Sequence, residues 1–289
     1  MDEKTLLKLG NQAFARIVMS FLLLVFIMSG LIIHVFLNDP INLLQRWIRF
    51  CTTIGTHGIW WSILLGIPVC GICGIMTIRL ISVIVKEYRF YSSLQNYECM
   101  EMPLHAKTIV RSHQGLHSLC IINDDAVFAF CYGFIRPNIY ISKGFLNHLS
   151  QAELEAVLLH EQAHIKYHDT WKVFVAKIIM HVLFFVPTVQ QLGSNYLMYK
   201  ELLADQYAIR IMKRMEPLGS ALVKIIHMNQ TNRQRPYGVN GFDDRINIRI
   251  RNVLGHEAEE SLFFAKRHKT YLLLILVVLF FYVFGTGCV

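Results

Sequence analysis

Charged residues are scarce in this sequence of 289 residues, making up 17% of it, while hydrophobic residues make up 54%. A composition this apolar excludes a typical soluble domain, in which charged residues account for about 25%. The sequence also lacks a basic motif interleaved with aromatic residues, and we therefore expect no direct nucleic-acid partner. The composition indicates membrane-spanning segments, and the net charge of +8 suits an anionic inner leaflet.

Cysteine pairs with a framework-like spacing are lacking too. The seven cysteines are odd in number and scattered, which argues against a disulfide scaffold, and we expect free thiols. Cys70 and Cys73 have the spacing of a redox or metal pair, but they lie inside an apolar segment without a second pair. The cysteines therefore predict neither a disulfide framework nor a structural metal site.

Three apolar segments are candidates for membrane spans: residues 15–37, residues 59–78 and the shorter run 271–284. No small-residue cleavage site follows the first segment, which is therefore expected to remain as an anchor. Residues 86–270 contain 22 of the 28 Lys and Arg, against 17 of the 20 acidic residues, and basic residues mark the cytoplasmic side. The predicted topology is a cytoplasmic tail (1–14), a transmembrane helix (15–37), a short external loop (38–58), a transmembrane helix (59–85), a cytoplasm-facing domain (86–270) and a C-terminal transmembrane helix (271–289).

The pentad His-Glu-Gln-Ala-His at residues 160–164 carries the main chemical signal. Ser150 is a helix N-cap with Glu153 three residues later, so the pentad is expected on a helix. His160 and His164 then share one helix face and can bind a single Zn²⁺ ion, and Glu161 can act as the general base that takes a proton from water. The pattern predicts a zinc peptidase.

A second pair of carboxylates supplies the remaining ligand in this prediction. Glu201 and Asp205 are four residues apart, and a catalytic zinc site needs three protein ligands with one position left for water. We assign Glu201 to the metal and Asp205 to the free ring nitrogen of a ligating histidine. The alternative is that this pair lies on a solvated helix face.

Between the pentad and Glu201 lies an apolar run, residues 171–186, closed by Pro187. A single membrane crossing there would place His164 and Glu201 on opposite sides of the bilayer, where one zinc ion could not bind both. Residues 171–200 are therefore predicted to form a membrane-associated helical hairpin or a half-immersed amphipathic helix, with a turn near Pro187. A buried helix of the soluble domain is the alternative.

Two runs rich in β-forming residues, 126–132 and 138–142, flank Gly133 and Pro137 and predict a short hairpin. Zinc peptidases often hold a substrate as an added strand on a sheet edge near the metal. The alternative is a hairpin that only packs on the helix of the pentad.

Three stretches together, Gly133–Ser142, Glu153–Asp169 and Glu201–Asp205, resemble the membrane metallopeptidases of the BlaR and MecR type, as does Asp244–Ile246 with its Arg-Ile pair. The resemblance covers roughly residues 125–255. It implies a mainly α membrane protein whose transmembrane helices carry an α+β, zincin-like domain with a small β-sheet. It also implies one Zn²⁺ per chain, held by His160, His164 and Glu201, with Glu161 as the base.

The same resemblance implies a function. The function is site-specific cleavage of a cytosolic or membrane-proximal protein, and in characterised relatives that protein is a transcriptional repressor. The enzyme would lie in the plasma membrane with its active site facing the cytoplasm. The sensor members of the family carry an extracellular penicillin-binding domain after the last span, and this sequence shows none, so β-lactam sensing is not expected. Arg245, His168 and Tyr199 are candidates for stabilising the oxyanion.

Two other functions remain open. A more distant resemblance, through the pentad followed by ExxxD, is to the heat-shock and CAAX prenyl-protease group, which would make the protein a quality-control protease. A zinc-binding membrane receptor that has lost catalysis is the alternative from another class. Cleavage that depends on Glu161 would distinguish an enzyme from such a receptor. The oligomeric state is not predicted.

Overall fold

The computed structural model of the protein describes residues 2–38, 59–113, 116, 119–231 and 249. In these ranges the protein is mostly helical, with one small mixed sheet, as the sequence predicted. The helices are α1 (Glu3–Asn38), α2 (Ile59–Gln95), α3 (Leu104–Ser112), α4 (Lys143–His148), α5 (Gln151–Lys166), α6 (Asp169–Val182), α7 (Pro187–Met212) and α8 (Glu216–Thr231), and the strands are β1 (Cys99–Met100), β2 (Leu119–Ile122), β3 (Ala129–Tyr132) and β4 (Asn138–Ser142).

The chain divides into two compact units. The first comprises Met1–Phe14, Tyr88–Ala176 and Gly193–Ala265, and contains the whole sheet; the second comprises Ala15–Glu87, Lys177–Leu192 and Lys266–Val289. Each of helices α1, α2, α6 and α7 therefore has one part in each unit. We call them the peptidase unit, after the function that the sequence predicts, and the apolar unit.

The apolar unit consists, in its described part, of helical segments with exposed apolar side chains. Phe26 and Ile78 are 74% and 68% exposed. Among the described residues, one helical segment, Glu3–Phe26, is long and apolar enough to cross a membrane. The predicted C-terminal span, residues 271–289, and most of the predicted loop 38–58 lie outside the described residues, so the multi-pass topology stays a prediction.

The sheet of the peptidase unit has the strand order β1-β2-β4-β3. Strands β3 and β4 pair antiparallel, with Phe130 opposite Tyr140, which confirms the predicted hairpin. Strand β2 pairs parallel with β4 and antiparallel with β1. Strand β3 therefore lies at one edge of the sheet, and it packs against α5.

Gly133 begins the turn between β3 and β4. Its φ is 122°, in the region that side chains rarely adopt, and a Cβ atom there would lie 2.7 Å from the carbonyl oxygen of Arg136. Glycine is therefore required for the hairpin to turn at this residue.

Helix α5 begins with the predicted capping box. The Ser150 hydroxyl accepts a hydrogen bond from the Glu153 amide at 3.3 Å, and the Ser150 amide donates to the Glu153 carboxylate at 2.7 Å. The helix is buried from Leu154 to His164 with few breaks, because the sheet covers one side and α7 and α8 cover the other. A helix enclosed in this way holds its polar side chains in fixed positions, which a catalytic site requires.

One expectation from the sequence is wrong. Cys99 on β1 and Cys120 on β2 form a disulfide, with their Cα atoms 5.1 Å apart. An odd number of cysteines without a common spacing does not exclude a single bridge, and the antiparallel pairing of β1 with β2 brings these two together. Of the cysteines that the structure describes, Cys131 is free.

The segment predicted as a hairpin, residues 171–200, is a helix, a break and a second helix. Helix α6 ends at Val182 and α7 begins at Pro187, which suits the first position of a helix. Association of this segment with the membrane stays a prediction.

Candidate metal centre and active site

Helix α5 holds the pentad side chains in the interior of the peptidase unit. His160, Glu161 and His164 are 5%, 8% and 7% exposed. The two imidazole rings, one helical turn apart, have their centroids 4.9 Å from each other. Both histidines therefore face the same small volume, as their spacing predicted.

Helix α7 brings Glu201 to this volume. The Oε2 atom of Glu201 lies 3.5 Å from Nε2 of His160, and the Oε1 atom lies 3.9 Å from Nε2 of His164. All three ligand atoms lie within 4.8 Å of one another. Zinc–ligand bonds of about 2.1 Å in a tetrahedron put ligand atoms about 3.4 Å apart, so the spacing of these three ligand atoms fits a zinc ion.

Each histidine also meets a carboxylate through its other ring nitrogen. Nδ1 of His160 lies 2.9 Å from Oδ1 of Asp205, the residue that the sequence suggested for such a contact. Nδ1 of His164 lies 2.9 Å from Oδ2 of Asp169, which the sequence analysis missed. Carboxylates placed in this way fix the tautomer and the orientation of a ligating imidazole, leaving Nε2 for the metal.

Asp169 reaches His164 because the chain turns sharply between α5 and α6. His168 has a φ of 57°, which ends α5 and starts α6 at Asp169. The hydroxyl of Tyr196 donates a hydrogen bond of 3.4 Å to the other oxygen of Asp169. The available sequence signal was an acidic residue five positions after the second histidine, at the first position of the next helix.

Arg249 is the second residue that the sequence analysis missed. Its guanidinium donates to both carboxylate oxygens of Asp205, at 2.9 and 2.8 Å, and lies 3.2 Å from Oε2 of Glu201. Arg249 is 8% exposed and Asp205 is fully buried. Arg245, the candidate from the sequence, lies outside the described residues.

Lys200 is a second cation at the site. Its ammonium donates to Oε1 of Glu201 at 2.6 Å, and the side chain is 15% exposed. Glu201 is thus paired with Lys200 through one oxygen and with Arg249 through the other. The carboxylate that is proposed to bind the metal is held in place from both sides.

The pKa values follow from this arrangement. Burial and the Arg249 guanidinium oppose protonation of His160, but the carboxylates of Asp205 and Glu201 outweigh them and raise the pKa of His160 to about 9. Burial would favour the neutral form of Glu201, yet the Lys200 ammonium above all holds the pKa of Glu201 well below its ordinary value. The pKa of Asp205 is lowered against burial by Arg249 in the same way.

The two remaining candidates from the sequence lie elsewhere. His168 is exposed at the turn that follows α5. Tyr199 is 8% exposed and lines a small cavity between α1 and α7. A Cβ atom added to Gly10 of α1 would lie 3.6 Å from the Cβ atom of Tyr199. Neither residue belongs to the group formed by His160, His164 and Glu201.

Strand β3 lies alongside the site. Burial, followed by the negative charge of Glu161, raises the pKa of the half-buried Cys131 thiol on this strand. The thiol is therefore neutral and not a nucleophile at neutral pH. Strand β3 is an edge strand of the sheet, the kind of strand to which other proteins add an extended peptide.

Two helices that bring two imidazoles and a carboxylate together, next to a second glutamate, support a metallopeptidase role. The chain matches the model of a peptidase family that is described as BlaR1 peptidase M56. The match covers residues 52–253, which is 202 of the 289 residues. The chain belongs to this family, which confirms the predicted resemblance. No curated protein matches the chain.

Proposed function

We propose that this protein is an integral membrane, zinc-dependent endopeptidase that cleaves a cytosolic or membrane-proximal protein in a regulatory role. The observation that carries the proposal is the convergence of His160, His164 and Glu201 around one position, with both histidines oriented by carboxylates. A transcriptional repressor is the proposed substrate, in keeping with characterised relatives of the BlaR and MecR type.

The chemistry divides between the ion and the chain. When bound by His160, His164 and Glu201, zinc would act as a Lewis acid and lower the pKa of a water molecule. Glu161 follows His160 on α5 and is nearly buried, so its carboxylate can accept the proton from the attacking water and donate it to the leaving amine. Strand β3 would hold the substrate backbone in an extended conformation next to this carboxylate.

The test is the substitution Glu161→Gln in the full-length protein. Glutamine keeps the shape of the side chain but cannot take the proton, so we expect normal zinc content and loss of proteolysis. Zinc is measured by elemental analysis, and proteolysis by cleavage of fluorescein-labelled casein and by new N-termini in isolated membranes. The matched control is Glu155→Gln on the same helix, because Glu155 pairs with His113 at 2.7 Å, away from the proposed ligands.

The outcomes separate the candidate functions. Cleavage by the Glu161→Gln variant at the wild-type rate would refute the mechanism. Zinc in the wild type that is lost in Glu201→Ala, without any proteolysis that depends on Glu161, would favour the receptor. Processing of many unrelated membrane proteins by the wild type alone would favour the quality-control protease over a dedicated regulator.

We propose a multi-pass location in the plasma membrane with the active site facing the cytoplasm, from the distribution of basic residues. The Cys99–Cys120 disulfide argues for the opposite side, because disulfides persist mainly in oxidising compartments. Leu104→Cys distinguishes the two orientations, since Leu104 is 79% exposed in the peptidase unit. Labelling by an impermeant maleimide only after lysis supports the cytoplasmic side, and labelling of intact cells refutes it.

A further inference from the structure

Two groups of aromatic contacts in the peptidase unit share helix α6, which carries Trp171 of one group and Phe174 of the other. Together they involve helices α1, α2 and α6 and the β3–β4 hairpin, and we call them the aromatic stripe. Its ring-centroid distances are 5.6 Å for Phe14–Trp171, 4.9 Å for Phe134–Phe174, 5.9 Å for Tyr132–Phe134 and 6.5 Å for Tyr91–Tyr132.

The stripe lies where the chain leaves the peptidase unit. Helix α1 passes into the apolar unit after Phe14, α2 enters the peptidase unit at Tyr88, and α6 leaves it after Ala176. Trp171 and Tyr91 are each within one or two turns of these points, and are 41% and 48% exposed. Exposed Trp and Tyr next to apolar helices are typical of the boundary between a bilayer and water.

Helix α1 indicates what covers this side of the unit. Its first turns carry Glu3, Lys4 and Lys8, whereas beyond Phe14 the exposed side chains include Leu22 and Phe26, 52% and 74% exposed. The candidate membrane span among the described residues is Glu3–Phe26, which includes these first turns and the apolar turns after Phe14. Lipid is the solvent in which such side chains are stable, and the level of Phe14 is therefore close to the surface of the bilayer.

The tip of the β3–β4 hairpin projects from the stripe. Ile135 is 94% exposed, and it stands between Phe134, which contacts Phe174 of α6, and the exposed Arg136. An aliphatic side chain this exposed contributes almost nothing to folding. An aromatic, an aliphatic and a basic residue in succession suit the interfacial region, where the apolar groups enter lipid and the guanidinium meets phosphate.

We propose that the hairpin tip, residues 134–136, enters the interfacial region of the bilayer. The inference rests on the proposed membrane location and specifies the substrate of the same site. Because β3 leads directly into the tip, a peptide added to β3 would lie at the membrane surface. Phe14 packs 5.4 Å from Tyr196, and Glu201 lies five residues further along α7, a rise of about 7.5 Å. The site therefore acts on segments lying at the bilayer surface.

The test places an environment-sensitive fluorescent amino acid at position 135 of the full-length protein in phosphatidylcholine and phosphatidylglycerol vesicles, with and without brominated acyl chains. Substitution of so exposed a side chain leaves folding intact. Bromines quench a fluorophore that reaches the acyl boundary, about 5–10 Å below the surface, and we expect loss of roughly half of the fluorescence at position 135.

Two further positions make each outcome decisive. A probe at Met215 is the matched water-exposed control, because Met215 is 46% exposed. It lies just after the end of α7, and that helix rises about 28 Å from Gly193, where it enters the unit, to its last residue, Met212. A probe at Phe26 reports the membrane location itself.

Quenching at 26 and 135 but not at 215 supports the proposal. Quenching at 26 alone overturns it while the membrane location stands, and the tip then faces water or a protein. Equal quenching at 135 and 215 also overturns it. Without quenching at 26, the proposed membrane location fails together with the inference.

Discussion

Substitution of Arg249 by methionine removes a buried charge and keeps most of the side-chain volume. In the wild type, Arg249 makes two hydrogen bonds to Asp205, at 2.9 and 2.8 Å, and an ion pair with Glu201 at 3.2 Å. After the change, Asp205 keeps its contact with His160 at 2.9 Å but loses the guanidinium of Arg249. The fully buried carboxylate then keeps the His160 imidazole, whose pKa of about 9 makes it cationic at neutral pH, but loses both of its hydrogen bonds from the guanidinium.

Loss of one partner of a buried ion pair destabilises proteins by about 3–5 kcal/mol, because the remaining charge cannot be hydrated. A chain of this size shifts its melting temperature by roughly 2–4 °C per kcal/mol. We therefore expect Arg249→Met to melt about 10 °C below the wild type. Arg210→Met is the matched control: Arg210 pairs with Glu3 at 2.9 Å, but its side chain is 57% exposed, and such a pair contributes about 1 kcal/mol or less.

The assay is thermal unfolding of the detergent-solubilised protein, followed by intrinsic fluorescence in the presence of a chelator, so that differences in metal binding do not contribute. A double-mutant cycle with Asp205→Asn separates the pair from other effects. Because the double variant leaves no unpaired charge between these positions, its loss should be smaller than the sum of the single losses by about 1–3 kcal/mol. Strict additivity, or a melting temperature of Arg249→Met equal to that of Arg210→Met, would refute the reasoning.

Three further predictions concern the site, the helix cap and the disulfide. Asp169→Ala should weaken zinc binding by about 10–100-fold in a chelator competition, because Nδ1 of His164 loses its carboxylate partner at 2.9 Å, and unchanged affinity would exclude this positioning role. Glu153 has a pKa lowered to about 2; burial raises this pKa, but the hydrogen bond from Lys224 outweighs it, followed by those from Ser220 and Ser150. A pKa that is lowered in the folded state gives stability that is present above the ordinary value of 4.5 and is lost as the pH falls towards 2. The difference in unfolding free energy between the wild type and Glu153→Gln, measured by urea unfolding, should therefore shrink between pH 4.5 and pH 2. A difference that stays constant over this range would contradict the prediction. Reduction of the Cys99–Cys120 disulfide, whose cysteines are 21 residues apart, should lower the unfolding free energy by about 3 kcal/mol. The measurement is unfolding with and without reductant, and the control is Cys99→Ser, whose stability should not depend on the reductant.

Local signals in the sequence were sufficient for the helix of the pentad and for the hairpin. The capping box at Ser150 and Glu153 depends on residues three positions apart, and the spacing of His160 and His164 depends on one helical turn. Gly133 marks the turn between β3 and β4. Each of these features is decided by a few neighbouring residues, and the structure has all of them.

Contacts between distant parts of the chain were not predictable in the same way. Arg249 is 89 residues from His160, and an arginine in a basic stretch has no property in the sequence that marks it as buried. The parallel pairing of β2 with β4 and the Cys99–Cys120 bridge likewise depend on the tertiary fold. Asp169 is an intermediate case, because its distance from His164 along the chain is short but its direction depends on the left-handed backbone of His168.

The N-terminal residues pack against helices that lie far from them in the sequence. Residues 3–14, part of the predicted cytoplasmic tail 1–14, form the first turns of α1 and group with the peptidase unit. Leu6 is 1% exposed, and Phe14 packs on Tyr196, which donates to Asp169. A fragment that starts at residue 86 would uncover these contacts on α7, the helix that carries Glu201. The helix that begins on the peptidase unit is thus the one that continues into the proposed first span, and displacement of α1 would act on the orientation of His164 through Tyr196 and Asp169.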